Sequence, residues 1–281
     1  MERNLDIYPN PSYHLIDPFS YKRKFNGEQA ITILTSRGCP FRCSFCGLPE
    51  QHKIMRYRTP ENVTEEIKSI QKKYGINKFN FQDDTFTVKK SRLHNMLELF
   101  EPLEIGFRAH GRSGLDKPED YIRLGKAGCD TLAWGIESGS QKILDVIQKD
   151  VTIKKQEAGL KAAHDAGLKV RAQFMIGLPQ ETEEDFKQNL AFIEHNNKYV
   201  DKWGIHIFVP FPSCEIWENP EKFKYNIDKN TDFSDFQTIG KPGEWNFVPK
   251  ENQKQIAEWR DKILALIGEK NIYRENGNEK N

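Results

Sequence analysis

Ala30-Ile-Thr-Ile-Leu-Thr-Ser-Arg-Gly-Cys-Pro-Phe-Arg-Cys-Ser-Phe-Cys-Gly47 runs a short β-like segment straight into three closely spaced cysteines. Cys39, Cys43 and Cys46 stand in the order C-x3-C-x2-C. Three thiolates this close can wrap one metal cluster, but a four-iron cube normally takes four cysteines. Three leave one iron with an open position, where a small molecule can bind and react. A zinc site favours C-x2-C pairs with a second ligand pair further along, and no such pair follows. Five cysteines in 281 residues is an odd number in a long chain, which argues against a disulfide framework. Cluster binding is the favoured reading, with structural zinc and inert buried thiols as its rivals.

Outward from this stretch, β-rich apolar runs alternate with helical patterns to about residue 210. The runs are Ile31–Leu34, Lys78–Phe81, Glu104–Phe107, Thr131–Ile136, Val170–Ile176 and Gly204–Val209. One intervening helix opens at Thr59-Pro60, carries Val63, Ile67, Ile70 and Tyr74 on one face, and stops at Gly75. Another opens with Thr182-Glu-Glu-Asp185, close to a capping box. A third covers Thr152–Ala166 and ends at Gly167. Strands that alternate with helices imply right-handed βαβ units and a parallel sheet. Residues 1–29 read as an irregular lead-in, 30–215 as the core, and 216–281 as a C-terminal extension. In that extension a helix spans Glu251–Gly268 and a polar, frayed tail follows from Glu275.

The net charge of +1, with many charges of both signs, gives no sign of electrostatic capture of nucleic acid or membrane. The N-terminal residues lack the apolar run of a signal peptide, and no segment approaches membrane-spanning length. A thiolate-held cluster needs a reducing compartment, so a cytoplasmic location is expected.

The cysteine stretch resembles that of radical S-adenosylmethionine (radical SAM) enzymes, in which C-x3-C-x-aromatic-C holds a [4Fe-4S] cluster and SAM chelates the fourth iron. Phe45 fills the aromatic slot. The resemblance covers roughly residues 30–215 and implies an open (β/α)6 partial TIM-like barrel, whose ligands gather at the carboxyl ends of the strands. Gln82-Asp-Asp-Thr-Phe86 is similar to the Asp-Asp-x-Phe variant of the cobalamin-binding subfamily, which marks Asp83 or Asp84 for SAM. Arg108-Ala-His-Gly-Arg112 follows the third strand. Its arginines suit the SAM carboxylate or an anionic substrate, and His110 is read as a satisfied loop histidine. Gly135-Ile-Glu-Ser-Gly139 matches the family's Gly-x-Glu-Ser-Gly pattern and implies that Glu137 and Ser138 contact SAM. Arg171 is a possible partner of Glu137. Met175-Ile-Gly-Leu-Pro-Gln-Glu-Thr182 is similar to the adenine-lining segment, so Ile176 and Gly177 are expected at the adenine, with Gln180 where relatives carry glycine. Cys214, beside Ser213 at the expected pocket mouth, is a candidate catalytic thiol, whereas Cys129 reads as a small buried one.

The resemblance implies reductive cleavage of SAM to a 5′-deoxyadenosyl radical, which takes a hydrogen atom from a small-molecule substrate. A reducing partner such as flavodoxin or ferredoxin is implied as well. The alternatives are a methyltransferase whose cobalamin is supplied elsewhere, since no Asp-x-His-x-x-Gly signature occurs here, and a non-catalytic iron–sulfur or binding protein.

Overall fold

The structure, a computed structural model, describes residues 3–22, 24–48, 50–227 and 250–268, together with Lys229, Val248 and Ile272. The expected fraying of Glu275–Asn281 lies outside the described residues. Strands β1 (Lys24–Phe25), β2 (Glu28–Ile33), β3 (Ser36–Arg37) and β4 (Arg56–Tyr57) come first. Then α1 (Pro60–Tyr74), β5 (Lys78–Phe81), α2 (Lys90–Phe100), β6 (Gly106–Arg112), α3 (Pro118–Lys126) and β7 (Cys129–Glu137) alternate. They are followed by α4 (Gln141–Val146), α5 (Ile153–Asp165), β8 (Lys169–Ile176), α6 (Glu183–Asn196) and β9 (Lys202–Ile207). Helices α7 (Glu215–Glu218) and α8 (Lys250–Ile267) complete the described chain.

The main sheet runs β1-β2-β5-β6-β7-β8-β9 and curls into a half-barrel. Its last six strands pair in parallel in sequence order, which is the architecture expected from the alternation of runs. The helix ends follow local chemistry. Thr59 caps α1 by accepting the Asn62 N–H at 3.2 Å, and Thr182 and Asp185 close a capping box on α6.

Two boundaries differ from expectation. The lead-in is not wholly irregular, because Asn26 (φ 50°) and Gly27 (φ 80°) turn β1 back antiparallel onto β2. An Asn-Gly pair between extended residues is a strong hairpin signal. The third parallel strand begins at Gly106 and continues through Arg112, so the residues assigned to a loop lie within it. Polar Arg108 and His110 there alternate with buried Phe107 and Ala109, the period-two signature of a strand with unlike faces.

The outer face of the sheet is covered by helices over a continuous aromatic core. Phe81 stacks on Phe86 and Phe100 with ring centres 5.0 and 5.5 Å apart, and Phe174 meets Trp203 edge-on at 6.3 Å. Helix α8, placed by the sequence in an extension, packs into this same core through Ile256, Trp259, Ile263 and Ile267. Trp259 stacks on Phe186 at 4.6 Å and donates its indole N–H to Glu183 at 2.8 Å. Among the described residues no helix is long and apolar enough to cross a membrane.

Candidate functional site

The cysteine loop leaves the carboxyl end of β2 and is fastened on both flanks. Gly38 has φ 99°, and a Cβ there would lie 2.4 Å from the His52 carbonyl oxygen and 2.7 Å from that of Ile54, so only glycine fits. The Cys39 N–H donates to the His52 carbonyl at 2.9 Å. On the other flank the Ser44 N–H donates to Ile147 O (2.9 Å), and the Ile216 N–H donates to Ser44 O (3.1 Å). The Ser213 hydroxyl donates to Gly47 O at 2.8 Å, so Ser213 ties two loops together.

The Cys39 sulfur lies 3.4 Å from Thr85 Oγ1, and Cys43 Sγ accepts the Arg112 Nη1–H at 3.3 Å. Surrounding protein atoms push the Cys46 thiol up, and Cys43, Cys39 and Asp84 add to that, although the residue keeps an exposed face. Among the described residues no three His, Cys, Asp or Glu side chains close on a single-ion site. Arg112 is buried, its guanidinium is 3.8 Å from the Phe41 ring centre, and its Nη2 has no hydrogen-bond partner among the described residues. An unused donor beside cysteine sulfurs suits a thiolate-held cluster, whose sulfurs accept N–H bonds that tune it. The donor set and its surroundings therefore fit a [4Fe-4S] cluster.

The paired aspartates divide their work. Asp83 is fully buried and accepts the Thr35 N–H (2.7 Å), the Thr35 hydroxyl (2.5 Å) and the Ser36 hydroxyl (2.7 Å). Burial pushes its carboxyl up, against the pull of those hydrogen bonds and of Arg92. It welds β5 to the end of β2 and has no room for a ligand, which corrects half of the expectation. Asp84 is exposed, and its carboxylate accepts the Gly38 N–H at 2.9 Å, directly under the cysteine loop.

Glu137 ends β7 in the left-handed region, with φ 69°. Its partner is Lys149, with Nζ 2.8 Å from Oε1 and both side chains nearly buried, and not Arg171. Arg171 lies opposite Ala133, whereas Glu137 lies opposite Phe174, three residues or about 10 Å further along the strand. A Cβ on Gly135 would sit 1.9 Å from Glu137 Oε1, so glycine there lets the carboxylate fold back. Lys149 also stands 5.7 Å over the Phe45 ring, which links the glutamate to the cysteine loop. Flanking Gln148 and Asp150 both have positive φ, a strain pattern that clusters at functional sites and could have flagged Lys149 only from structure.

Ser138 is fully buried, donates to Asn189 Oδ1 at 2.9 Å and accepts the Ser140 N–H, so its hydroxyl is engaged in the turn. Asn189 in turn donates to Glu181, whose other oxygen accepts the Gly177 N–H at 2.6 Å. Burial pushes the Glu181 carboxyl up to about 7 against these hydrogen bonds. The Ile176 side chain belongs to the helix-covered core and its carbonyl accepts the Phe208 N–H, while Met175 is its inward neighbour. Cys214 is fully buried and caps α7 by accepting the Trp217 N–H at 3.3 Å, and burial pushes its thiol up. A thiol so placed is inert as a nucleophile, contrary to its candidacy. Cys129 is the small buried thiol that was expected, and it stands at the first residue of β7. A groove of about 580 Å³ with an apolar lining lies between residues 11–21 and β2 and contains none of the candidate residues.

A family model described as the radical SAM superfamily matches residues 33–193, more than half of the chain. The chain belongs to the radical SAM superfamily. Membership brings a [4Fe-4S] cluster and SAM as cofactors. This radical SAM chain is 34% identical over 219 residues to an uncharacterized methyltransferase of Pyrococcus horikoshii, covering 77% of the chain and 47% of that protein. It is 28% identical to the bacteriochlorophyllide d C-12(1)-methyltransferase of Chlorobaculum tepidum, covering 75% of the chain and 46% of the relative. The chain thus spans about half the length of these curated relatives. Among solved structures it resembles the radical SAM methyltransferase TsrM of Kitasatospora setae with tryptophan and a SAM analog bound. There the TM-score is 0.65 at 17% identity, covering 79% of this chain and 44% of that one. At that identity the likeness concerns the fold.

Proposed function

We propose that this chain carries out radical SAM chemistry on a small molecule at the rim of its half-barrel. The observation that carries the proposal is the juxtaposition of Cys39, Cys43 and Cys46 with the unpartnered guanidinium nitrogen of buried Arg112. When bound, the cluster and SAM supply one-electron cleavage to a 5′-deoxyadenosyl radical that abstracts a substrate hydrogen atom. The three cysteines would hold the cluster, and Arg112, which donates to the Cys43 sulfur, would offset part of its negative charge. Asp84, fixed by the Gly38 N–H and exposed, is the acceptor for the SAM ammonium group. Glu137, oriented by Lys149, offers its second oxygen to the SAM amino or ribose groups. Phe45 and Met175 give apolar walls that exclude water, and the Gly177 turn, braced by Glu181, lies beside them. A one-electron donor of the flavodoxin or ferredoxin type and a cytoplasmic setting go with this chemistry.

The test is anaerobic reconstitution of the chain, reduction in the presence of SAM, and quantification of 5′-deoxyadenosine. Its formation is expected, and none from an intact cluster removes the enzyme reading. Methyl transfer through cobalamin is the second reading, favoured by relatives named as methyltransferases and by the fold likeness to TsrM with cobalamin bound. Gel filtration after incubation with cobalamin tests it, and failure to retain corrinoid on this chain removes a cobalamin site within it.

A further inference from the structure

The chain enters and leaves the cysteine loop through a small ribbon whose register lines up three arginines. Between β3 and β4, Arg37 lies directly opposite Arg56, and Ser36 opposite Tyr57. Asn4 forms a parallel bridge with Tyr57, which puts Arg3, one residue earlier, level with Arg56. Ser36 is buried and donates its hydroxyl to Asp83, so strand alternation turns Arg37 and its two neighbours to the opposite, outward face. Like charges directly opposite each other destabilise a strand pair. The acidic side chains around the ribbon are spent elsewhere. Asp83 accepts from Thr35 and Ser36, Asp84 from the Gly38 N–H, Asp6 from the Thr59 N–H at 3.0 Å, and Glu66 from Arg58 and Tyr13. Among the described residues, Arg3, Arg37 and Arg56 enter no ion pair, and Arg56 Nε is a buried donor without an acceptor. Residues 36–57 carry four cations, Arg37, Arg42, Lys53 and Arg56, against Glu50 alone, a net +3 in a chain that nets +1. The positive charge of the molecule is concentrated at the cysteine loop.

We infer that this arginine row is the docking surface for an acidic one-electron donor protein that reduces the cluster. The inference rests on the proposed radical chemistry, which draws its electron from outside the chain. One electron passes from the donor, which is oxidised, to the cluster, which is reduced, and no bond in this chain forms or breaks. Position favours this occupant. Arg37 is two residues from Cys39, a span of at most about 7 Å, and Cys46 keeps an exposed face. A protein seated on the row therefore lies against the loop whose thiolates would hold the cluster. The row also crosses three extended segments, about 10 Å from end to end at the usual strand spacing. A surface bearing several carboxylates matches that span, and one small anion does not. Guanidinium forks suit carboxylates, and exposed charges of this kind act mainly on encounter, raising the association rate in a salt-dependent way.

The experiment uses the reconstituted 281-residue chain and reduced flavodoxin, a small acidic flavoprotein, as the probe donor. Stopped-flow absorbance follows cluster reduction without SAM in the native chain, in Arg37→Gln, and in a double variant combining Arg37→Glu with Arg56→Glu. At low ionic strength the second-order rate constant is expected to fall about tenfold or more in the double variant, within the range of electrostatic steering. A smaller fall in the same direction is expected in Arg37→Gln, which serves alone if the double variant does not take up a cluster. The differences are expected to vanish at about 1 M salt, where the screening length is about 3 Å. Photoreduced deazaflavin, a small neutral reductant, is expected to reduce every variant at the native rate. Arg37→Gln also removes one of two facing like charges, so its melting temperature is expected to rise. Equal flavodoxin rates in native and variant chains, an equal loss with both reductants, or a fall in the melting temperature of Arg37→Gln overturns the inference. So does inhibition by inorganic phosphate that chloride at equal ionic strength does not produce, because the row is then a small-anion site. No SAM cleavage is read here, so failure leaves the radical proposal standing, and failure of SAM cleavage leaves the docking surface standing.

Discussion

The two faces of the half-barrel sheet are built from the same strands, one residue out of step, and they have opposite chemistry. On the outer face Phe79, Phe81, Phe107, Trp134, Phe174 and Trp203 are fully buried under the helices. On the inner face Asn80, Arg108, His110, Arg171, Gln173 and His206 stand between them in register. Each outer aromatic removes on the order of 150–250 Å² from water, so this face provides most of the stability. The inner face gives some of that up to carry polar and charged side chains. A strand whose two faces must do different work has to alternate, and alternation is what allows a rigid wall to carry function.

The sharpest way to break this contrast is to truncate an outer aromatic. Trp134→Ala is expected to destabilise the chain by ~3–5 kcal/mol in urea unfolding while the folded fraction still binds a full cluster. Loss of the cluster from well-folded protein would show that the faces are not separable. Next comes the rim pair. Lys149→Met leaves the Glu137 carboxylate buried without its cation and is expected to cost ~3 kcal/mol, with the apparent KM for SAM rising more than kcat falls. Unchanged SAM affinity at the same stability loss would make the pair purely structural.

Glu181 braces the loop at Gly177, and its carboxyl sits at about 7, above the ordinary glutamate range. A raised acid favours folding in its protonated form. That contribution is complete below about pH 4.5 and is lost as pH rises through about 7, at most ~3 kcal/mol. Glu181→Gln is expected to flatten this part of the stability–pH curve, and an unaltered slope between pH 5 and 8 would assign it to other groups. The smallest effect concerns Gln180, which stands at φ 62° where relatives carry glycine. Gln180→Gly relieves a left-handed side chain and keeps the carbonyl that accepts from Lys142, so a gain of up to about 1 kcal/mol is expected by thermal unfolding. A loss there would mean that the Gln180 side chain itself holds the loop.

The same contrast explains what was legible in the sequence. The six strands and their helices were readable because apolar runs and caps such as Thr59-Pro60 and Thr182–Asp185 are local signals. The cysteine spacing was legible for the same reason. The third strand reads as ending at Phe107 because its continuation, Arg108-Ala-His-Gly-Arg112, has an apolar face only at every second residue. The Asn26-Gly27 hairpin, too, rests on a local signal, an Asn-Gly pair between extended residues. What local patterns cannot show is which neighbour a polar side chain meets across the fold. Lys149 rather than Arg171 pairs with Glu137, Thr35 and Ser36 occupy Asp83, and Asn189 occupies Ser138. Those partners lie between 12 and 51 residues away in the chain, and only the folded sheet brings them together.

The central claim is that three rim thiolates leave one iron of a [4Fe-4S] cluster open for SAM. Mössbauer spectra of the iron-57-reconstituted chain, recorded before and after SAM is added, test this most directly. A single iron site is expected to change its parameters on SAM binding while the others stay fixed, and Cys43→Ala is expected to hold no cluster. An intact cluster whose spectrum SAM leaves untouched would contradict the open-iron assignment and would point to a fourth protein ligand.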